Sequence, residues 1–422
     1  MGWKWLGKVS YILAAFNKLL TVDYLKSSSV DPGHHVTGPF LPQTPLGTSN
    51  RTANSNLSPK LNSFQIQRES WSIFVRWAID PYLSFKLLLI PIVLFLNWEL
   101  LSYCRISVGI YNPFQGIFLL SGYIPTSSPD DPRYRKSWWD IAFVAYYIVF
   151  FSFVREYLSL KVGRPLANYF RLRRESKVDR FAEQTYAFLY FMVFGAWGYR
   201  VMTQLPTYWY RTDEFWKGYP EWALKPELKR YYLMQFAYWW QQLLVLVLGL
   251  EKPRKDYWEL VAHHLVTIWL VGWSYIVNLT FIGNAVFMSM DIPDSFFAFS
   301  KLLNYIQWNT AKVYSFGIFY VIWSYFRHYL NLRILWSVWF EIPTLVPSWS
   351  QNWNPSEGIY MPRWMHFQVF LPLLILQFLN LFWYYLINKV LIRALSSSDV
   401  DDSRSDHGED TEDEGSNDKK TD

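Results

Sequence analysis

The apolar positions of this chain gather into long runs separated by short polar stretches. Eight runs come near the ~20 residues that a helix needs to cross a bilayer core. They lie at about 82–103, 138–158, 181–203, 231–250, 257–277, 280–300, 313–333 and 365–390, with polar residues interrupting the sixth and seventh. This pattern predicts an all-α polytopic membrane protein of about eight transmembrane helices. Ahead of the runs, residues 1–25 read as an interfacial amphipathic segment. Lys4, Lys8 and Lys18 leave its apolar stretch too short for a secretory signal, and Leu6 stands where myristoylation prefers Ser or Thr. Residues 26–68, rich in Ser, Pro, Asn, Thr and Gly, read as a disordered linker, and 396–422 as a disordered acidic tail. Between them, 69–174 reads as an N-terminal transmembrane region and 175–395 as the catalytic domain.

Composition supports the membrane reading. The 422 residues are 51% hydrophobic and 20% aromatic with 24 Trp, and only 18% are charged, which excludes an ordinary soluble enzyme. Trp and Tyr suit the headgroup level, where an amphipathic ring has one wet and one apolar side. The single Cys104 excludes intrachain disulfides and Cys-rich metal sites, and is expected as a small buried residue. The net charge of +6 understates the basic middle, because the last residues are acidic.

Short-loop basic charge sets the orientation. Lys161, Arg164, Arg171, Arg173, Arg174, Lys177 and Arg180 crowd one loop, and Lys252, Arg254 and Lys255 another two spans later. Both are expected in the cytosol, and eight spans then put both termini there. Arg327 and Arg333, near the opposite face, count against this. The basic loops serve topology, anionic lipid or an anionic substrate; no nucleic-acid partner is expected. Lys419-Lys420-Thr421-Asp422 resembles a dilysine retrieval signal of the endoplasmic reticulum, and Ser396, Ser397 and Ser398 resemble acidophilic-kinase sites. Asn50 and Asn278 match the glycosylation sequon, but neither is expected to carry a glycan on this topology.

Ionisable side chains in hydrocarbon are costly and usually face a protein interior or a wet cavity. Glu259, His263 and His264 fall in the fifth run, Asp291 and Asp294 in the sixth, and the polar Gln241 and Gln242 in the fourth. At ~1.5 Å per residue, His263 lies ~10 Å and Asp291 ~14 Å from the cytosolic side, so the four groups fit one pocket. Two His and two Asp could bind zinc or iron, but adjacent histidines do not readily chelate one ion from one helix face. A di-iron centre needs more spaced histidines than the four left among seven once His34, His35 and His407 are set aside. Acid–base or nucleophilic chemistry is left, because a carboxylate holds a neighbouring imidazole in one tautomer and raises its basicity. Acyl transfer to an amine calls for that. Glu259 and Thr267 share a face with His263 and could orient it.

The stretches RFAEQTYAFLYF (180–191), KRYYLMQFAYWWQQ (229–242), RKDYWELVAHHLVTIWLVGWSYIVN (254–278) and GNAVFMSMDIPDSFFAFSKLLNY (283–305) resemble the ceramide synthases of the longevity-assurance family, within the TLC-domain superfamily. The resemblance covers roughly residues 175–395. It implies six helices in a TLC-type barrel around a central cavity, and an N-acyltransferase of the endoplasmic reticulum. The substrates implied are a fatty acyl-CoA and a long-chain sphingoid base, with no cofactor and no metal. His263 and His264 match the family's paired histidines, and Asp291 and Asp294 its acidic pair, as catalytic candidates. Gln241, Gln242, Glu259, Thr267, Asn304 and Tyr305 are the candidate substrate-binding residues, the glutamines equally able to bond between helices. The resemblance also implies a small single-span regulatory subunit and a second synthase copy as partners. The rival class is a non-catalytic TLC-type lipid-binding or translocon-associated protein, against which the retained His and Asp pairs argue.

Overall fold

A computed structural model describes residues 73–104, 111–251 and 254–397. The interfacial segment, the linker, Asn50, the lysines of the presumed retrieval signal and nearly all of the acidic tail lie outside the described residues. Contacts divide the chain into two units, Met1–Ser72 and Ile73–Asp422, and the described residues belong to the second.

Among the described residues, nine helices of ten residues or more carry the fold. They are α1 (Pro81–Tyr103), α2 (Trp139–Leu158), α3 (Glu175–Thr203), α4 (Pro226–Val247), α5 (Tyr257–Ile276), α6 (Thr280–Tyr305), α7 (Asn309–Trp323), α8 (Asn331–Phe340) and α9 (Met365–Ser397). Their starts follow local chemistry. Pro81 opens α1 at a position whose N–H would be unpaired anyway, and Asp80 caps it by accepting from the Tyr82 N–H at 2.9 Å. Pro226 opens α4 in the same way. Two π-helical segments extend helices instead of ending them. Ser159–Gly163 runs α2 on to Tyr169, and Ser324–Leu330 joins α7 to α8 without a break. The seventh apolar run is therefore one helical rod over 309–340. The one sheet among the described residues is an antiparallel hairpin pairing Trp353 with Tyr360 and Asn354 with Ile359. Gly358 adopts φ +70 there, and its carbonyl accepts from Asn278 Nδ2 at 2.8 Å. That bond occupies the nitrogen a glycan would need.

Among the described residues, three helical stretches are long and apolar enough to cross a membrane: Pro81–Tyr103, Trp139–Tyr169 and Met365–Ala394. The helices at the other predicted runs carry more polar residues. The packing order explains why. Helix α4 lies on α2 and α5, α5 on α9 and α6, and α6 on α3 and α7, while α8 and the second π segment lie on α9. Helices with several protein neighbours place polar side chains where partners exist. Helix α1 has chiefly α2 beside it and is almost wholly apolar. Cys104, expected to be buried, is exposed, because it stands at the end of this outlying helix.

One charged cluster pins the segment before α2 to the helices. Asp140 accepts from Lys229 Nζ at 2.8 Å, Ser121 Oγ at 3.0 Å, Tyr275 Oη at 2.8 Å and the Ser137 N–H at 2.8 Å. Lys229, 0% exposed, gives its other protons to the carbonyls of Ser121 at 2.9 Å and Arg135 at 2.8 Å. An ammonium has three donors, and all three are used.

Candidate active site

His263 and His264 sit in the first half of α5, Asp291 and Asp294 near the middle of α6. All four face the protein interior: His263 and His264 are each 6% exposed and Asp291 is 0% exposed, and Asp294 is held by Arg327. Adjacent helical positions point ~100° apart, so the two rings meet different surroundings.

The His263 ring stands edge-on between two indoles, Trp239 of α4 at 5.5 Å and Trp383 of α9 at 5.4 Å between centroids. Its Nδ1 is buried without a partner. The His264 ring meets the same Trp239 at 5.7 Å, and its Nδ1 lies 2.7 Å from the Leu260 carbonyl. A carbonyl only accepts, so Nδ1 carries the proton and the lone pair of His264 is on Nε2.

The carboxylates have partners of their own. Asp291 accepts from Gln235 Nε2, which also donates to Tyr231 Oη at 3.1 Å, while Gln235 Oε1 accepts from Tyr190 Oη at 2.8 Å. Asp291 Oδ1 is buried and unpartnered. Asp294 accepts from Arg327 Nη2 at 2.6 Å. Arg327 also bonds Asn380 Oδ1 at 3.0 Å and the Met290 carbonyl at 3.2 Å, and lies over the Trp323 ring at 4.5 Å. Neither histidine is hydrogen-bonded to either aspartate; indoles and the Arg327 web lie around them.

A narrow apolar cavity of about 50 Å³ begins at His263. Thr267 and Leu270 of α5, Ile282 and Met290 of α6 and Leu376 of α9 are among its walls, with Leu279 at the α5–α6 turn. It thus follows α5 from the histidine toward that turn. Thr267, one turn from His263, is on the wall as its spacing implies. Glu259, one turn the other way, is half-buried and off the cavity wall. Gln241 is buried and accepts from Gln242 Nε2 at 2.9 Å, so the glutamines bond to each other. Asn304 and Tyr305 end α6 away from the cavity; Tyr305 packs with Phe181, ring centroids 6.5 Å apart. Among the described residues, no three His, Cys, Asp or Glu side chains are grouped closely enough to hold a metal ion.

The residues that sequence reasoning missed are Gln235, Trp239, Trp383 and Arg327. Counted as loop charge, Arg327 weighs against the predicted topology. It lies instead inside the α7–α8 rod, 2% exposed and paired with Asp294, so it is no loop charge, whereas Arg333 is exposed. The signal was available: Arg327 is within the 313–333 apolar run, and a cation buried among apolar residues needs an anion nearby. Gln235 is polar in an apolar helix in the same way as Gln241. Nothing in the sequence separates Trp239 and Trp383 from the other tryptophans.

Residues 180–389 match the sequence model of the TLC domain (TRAM, LAG1 and CLN8). The chain is 44% identical over 310 residues to sphingosine N-acyltransferase lac1 of Schizosaccharomyces pombe, covering 73% of this chain and 78% of the relative. It is 34% identical over 373 residues to the sphingosine N-acyltransferase-like protein FUM17 of Gibberella moniliformis, covering 84% and 92%. Ceramide synthase LAG1 of Saccharomyces cerevisiae is 37% identical over 286 residues, 66% of each chain. With the paired histidines buried in α5 and the spaced aspartates on neighbouring α6 of the matched region, this chain belongs to the TLC-domain family, in the group that holds the fungal sphingosine N-acyltransferases.

Proposed function

We propose that this protein is a ceramide synthase, joining the acyl group of a fatty acyl-CoA to the amine of a long-chain sphingoid base and releasing CoA. One observation carries the reading: in a chain similar over most of its length to sphingosine N-acyltransferases, a buried histidine ends an apolar cavity. An acyl tail is apolar and seeks such a cavity, whereas the phosphates of CoA stay in water beside the basic loops at 161–180 and 254–255.

The chemistry needs a proton acceptor. As the amine nitrogen bonds the thioester carbon and the carbon–sulfur bond breaks, the nitrogen loses a proton and the CoA sulfur gains one. His263 is the ring on the cavity wall, and an imidazole there takes the proton as general base or takes the acyl group itself in a first step. His264, with its lone pair on Nε2, is the second basic ring. Asp291 and Asp294 place two carboxyl groups on the neighbouring helix, Asp294 paired with Arg327, and acid–base pairs in enzymes commonly tighten only around substrate. The protein needs no cofactor for this reaction. Eight spans, six of them in a TLC-type barrel, a place in the endoplasmic-reticulum membrane with both termini cytosolic, a small single-span subunit and a second synthase copy complete the reading.

The test is turnover by purified protein in detergent or liposomes. Ceramide is expected from acyl-CoA plus long-chain base, and it disappears in His263→Ala. Retention of lipid without product, together with indifference to that substitution, would establish the non-catalytic lipid-binding alternative instead.

A further inference from the structure

The second π-helical segment carries consecutive residues, Arg327 and His328, onto one neighbour, α9. Arg327 Nη1 donates to Asn380 Oδ1 at 3.0 Å, and Gln377 Nε2 donates to His328 Nδ1 at 2.9 Å. One turn on, Asn331 Nδ2 donates to Gln377 Oε1 at 2.7 Å. Asn331 and Asn380 are 0% exposed, and Arg327 is 2% exposed. Within this web, four buried atoms have no partner: Arg327 Nε, His328 Nε2, Asn331 Oδ1 and Asn380 Nδ2. Because His328 Nδ1 accepts, its Nε2 bears the proton. The web therefore offers three donors and one acceptor.

That mixture is selective. An anion would use the donors and be repelled by the Asn331 oxygen, and the charge of Arg327 is already met by Asp294. A hydrocarbon tail would leave every group unsatisfied, which is costly at full burial. Hydroxyl groups both donate and accept, and suit it. The web also adjoins the catalytic candidates. Asn380 shares a face of α9 with Leu376, a cavity wall four residues earlier, and Trp383, whose ring meets His263, three residues later. The carbonyl that Arg327 holds belongs to Met290, another wall residue.

We propose that this web is a subsite for the hydroxyl groups of the amine substrate, holding the polar end of a long-chain base so that its nitrogen reaches His263. The inference rests on the acyltransferase reading and adds the means by which a hydroxylated base is told from a plain long-chain amine. π-helical turns inside α-helices recur at functional sites, because they aim side chains that regular winding would direct elsewhere.

The experiment compares a long-chain base with its analogue lacking the terminal hydroxyl, using full-length purified protein. Two readouts are taken: kcat/KM for amide formation at saturating acyl-CoA, and the thermal shift on adding each base alone. The wild type is expected to favour the hydroxylated base by at least about tenfold in kcat/KM, as sites built to bond a hydroxyl reject analogues without it. It is also expected to be stabilised more by that base. Asn380→Leu and Asn331→Leu should each abolish the preference while leaving KM for acyl-CoA unchanged. Equal thermal shifts and equal kcat/KM for the two bases in the wild type would overturn the proposal, showing that the web holds only water, and need no variant to fold. Absence of amide from either base would defeat the acyltransferase reading alone, since the thermal shifts still decide whether hydroxyls are bound.

Discussion

Two buried charge clusters in this protein are built from similar residues to different ends. Around Asp140, every proton of Lys229 has an acceptor and the carboxylate receives four donors from three parts of the chain. Around His263, Asp291 and Arg327, buried atoms are left over: His263 Nδ1, Asp291 Oδ1 and Arg327 Nε have no partner. A saturated cluster can only hold the fold together. An unsaturated one, whose orphans each cost ~1–3 kcal/mol at full burial, is stable only if something else meets them. The difference sets the anchor around Asp140 apart from the candidate site around His263.

The largest effect tests the unsaturated cluster. His263→Ala and Asp294→Asn are each expected to lower turnover by ~10²–10⁴-fold, the usual contribution of a positioned acid or base. The His263→Ala melting temperature should stay close to wild type, because Nδ1 has no partner to lose, whereas Asp294→Asn strands the buried Arg327 cation and should lower it as well; an active His263→Ala enzyme would remove the site. The anchor should answer the opposite way. Lys229→Met strands the Asp140 carboxylate and should destabilise the protein by ~3–5 kcal/mol, seen as a large fall in melting temperature. Asp140→Asn in the same chain should recover part of it, and kcat of the folded fraction should not change. If kcat falls with stability intact, the two clusters are not separate.

A smaller effect sharpens the cavity's role. Ile282→Trp fills the cavity near the α5–α6 turn, and should cost long acyl-CoAs about tenfold in kcat/KM relative to short ones, the scale of discrimination by apolar pocket size. A uniform loss across a ladder of chain lengths would show that the tail runs elsewhere. The smallest effect belongs to Lys136, beside the anchor. Its amine donates to the Ile276 carbonyl at 2.6 Å, and burial pushes its pKa from the ordinary 10.5 down to about 7, against the opposing pull of Asp140. Since the folded value is below the unfolded one, folding is penalised while the amine is charged. Stability should then rise with pH from about 7 to 10.5, and Lys136→Met should flatten that slope.

Much of this was legible beforehand. Helices stand at each of the eight apolar runs, since a long apolar run with few breakers winds into a helix that pairs its own backbone groups. The ionisable residues within the fifth and sixth apolar runs point inward, because a charge or imidazole among apolar neighbours needs protein partners. What the periodicity could not supply was pairing. Asp294 meets Arg327 from the α7–α8 rod, 33 positions along the chain, and Asp291 meets Gln235 of α4. Neither bond has a signature in local spacing, since each depends on which helices become neighbours.

From its sequence alone, then, this chain is committed to long membrane-type helices, to its family and to a short set of buried polar residues, because those follow from composition and from the energetics of hydrocarbon. Only the tertiary structure decided that His263 rather than His264 lines the cavity, that Gln241 turns to Gln242, that Tyr305 ends beside Phe181, and that Arg327 lies inside the protein. The reason is geometric: a helix sets the angle of each side chain about its own axis, while the partner at that angle is set by packing among helices distant in sequence.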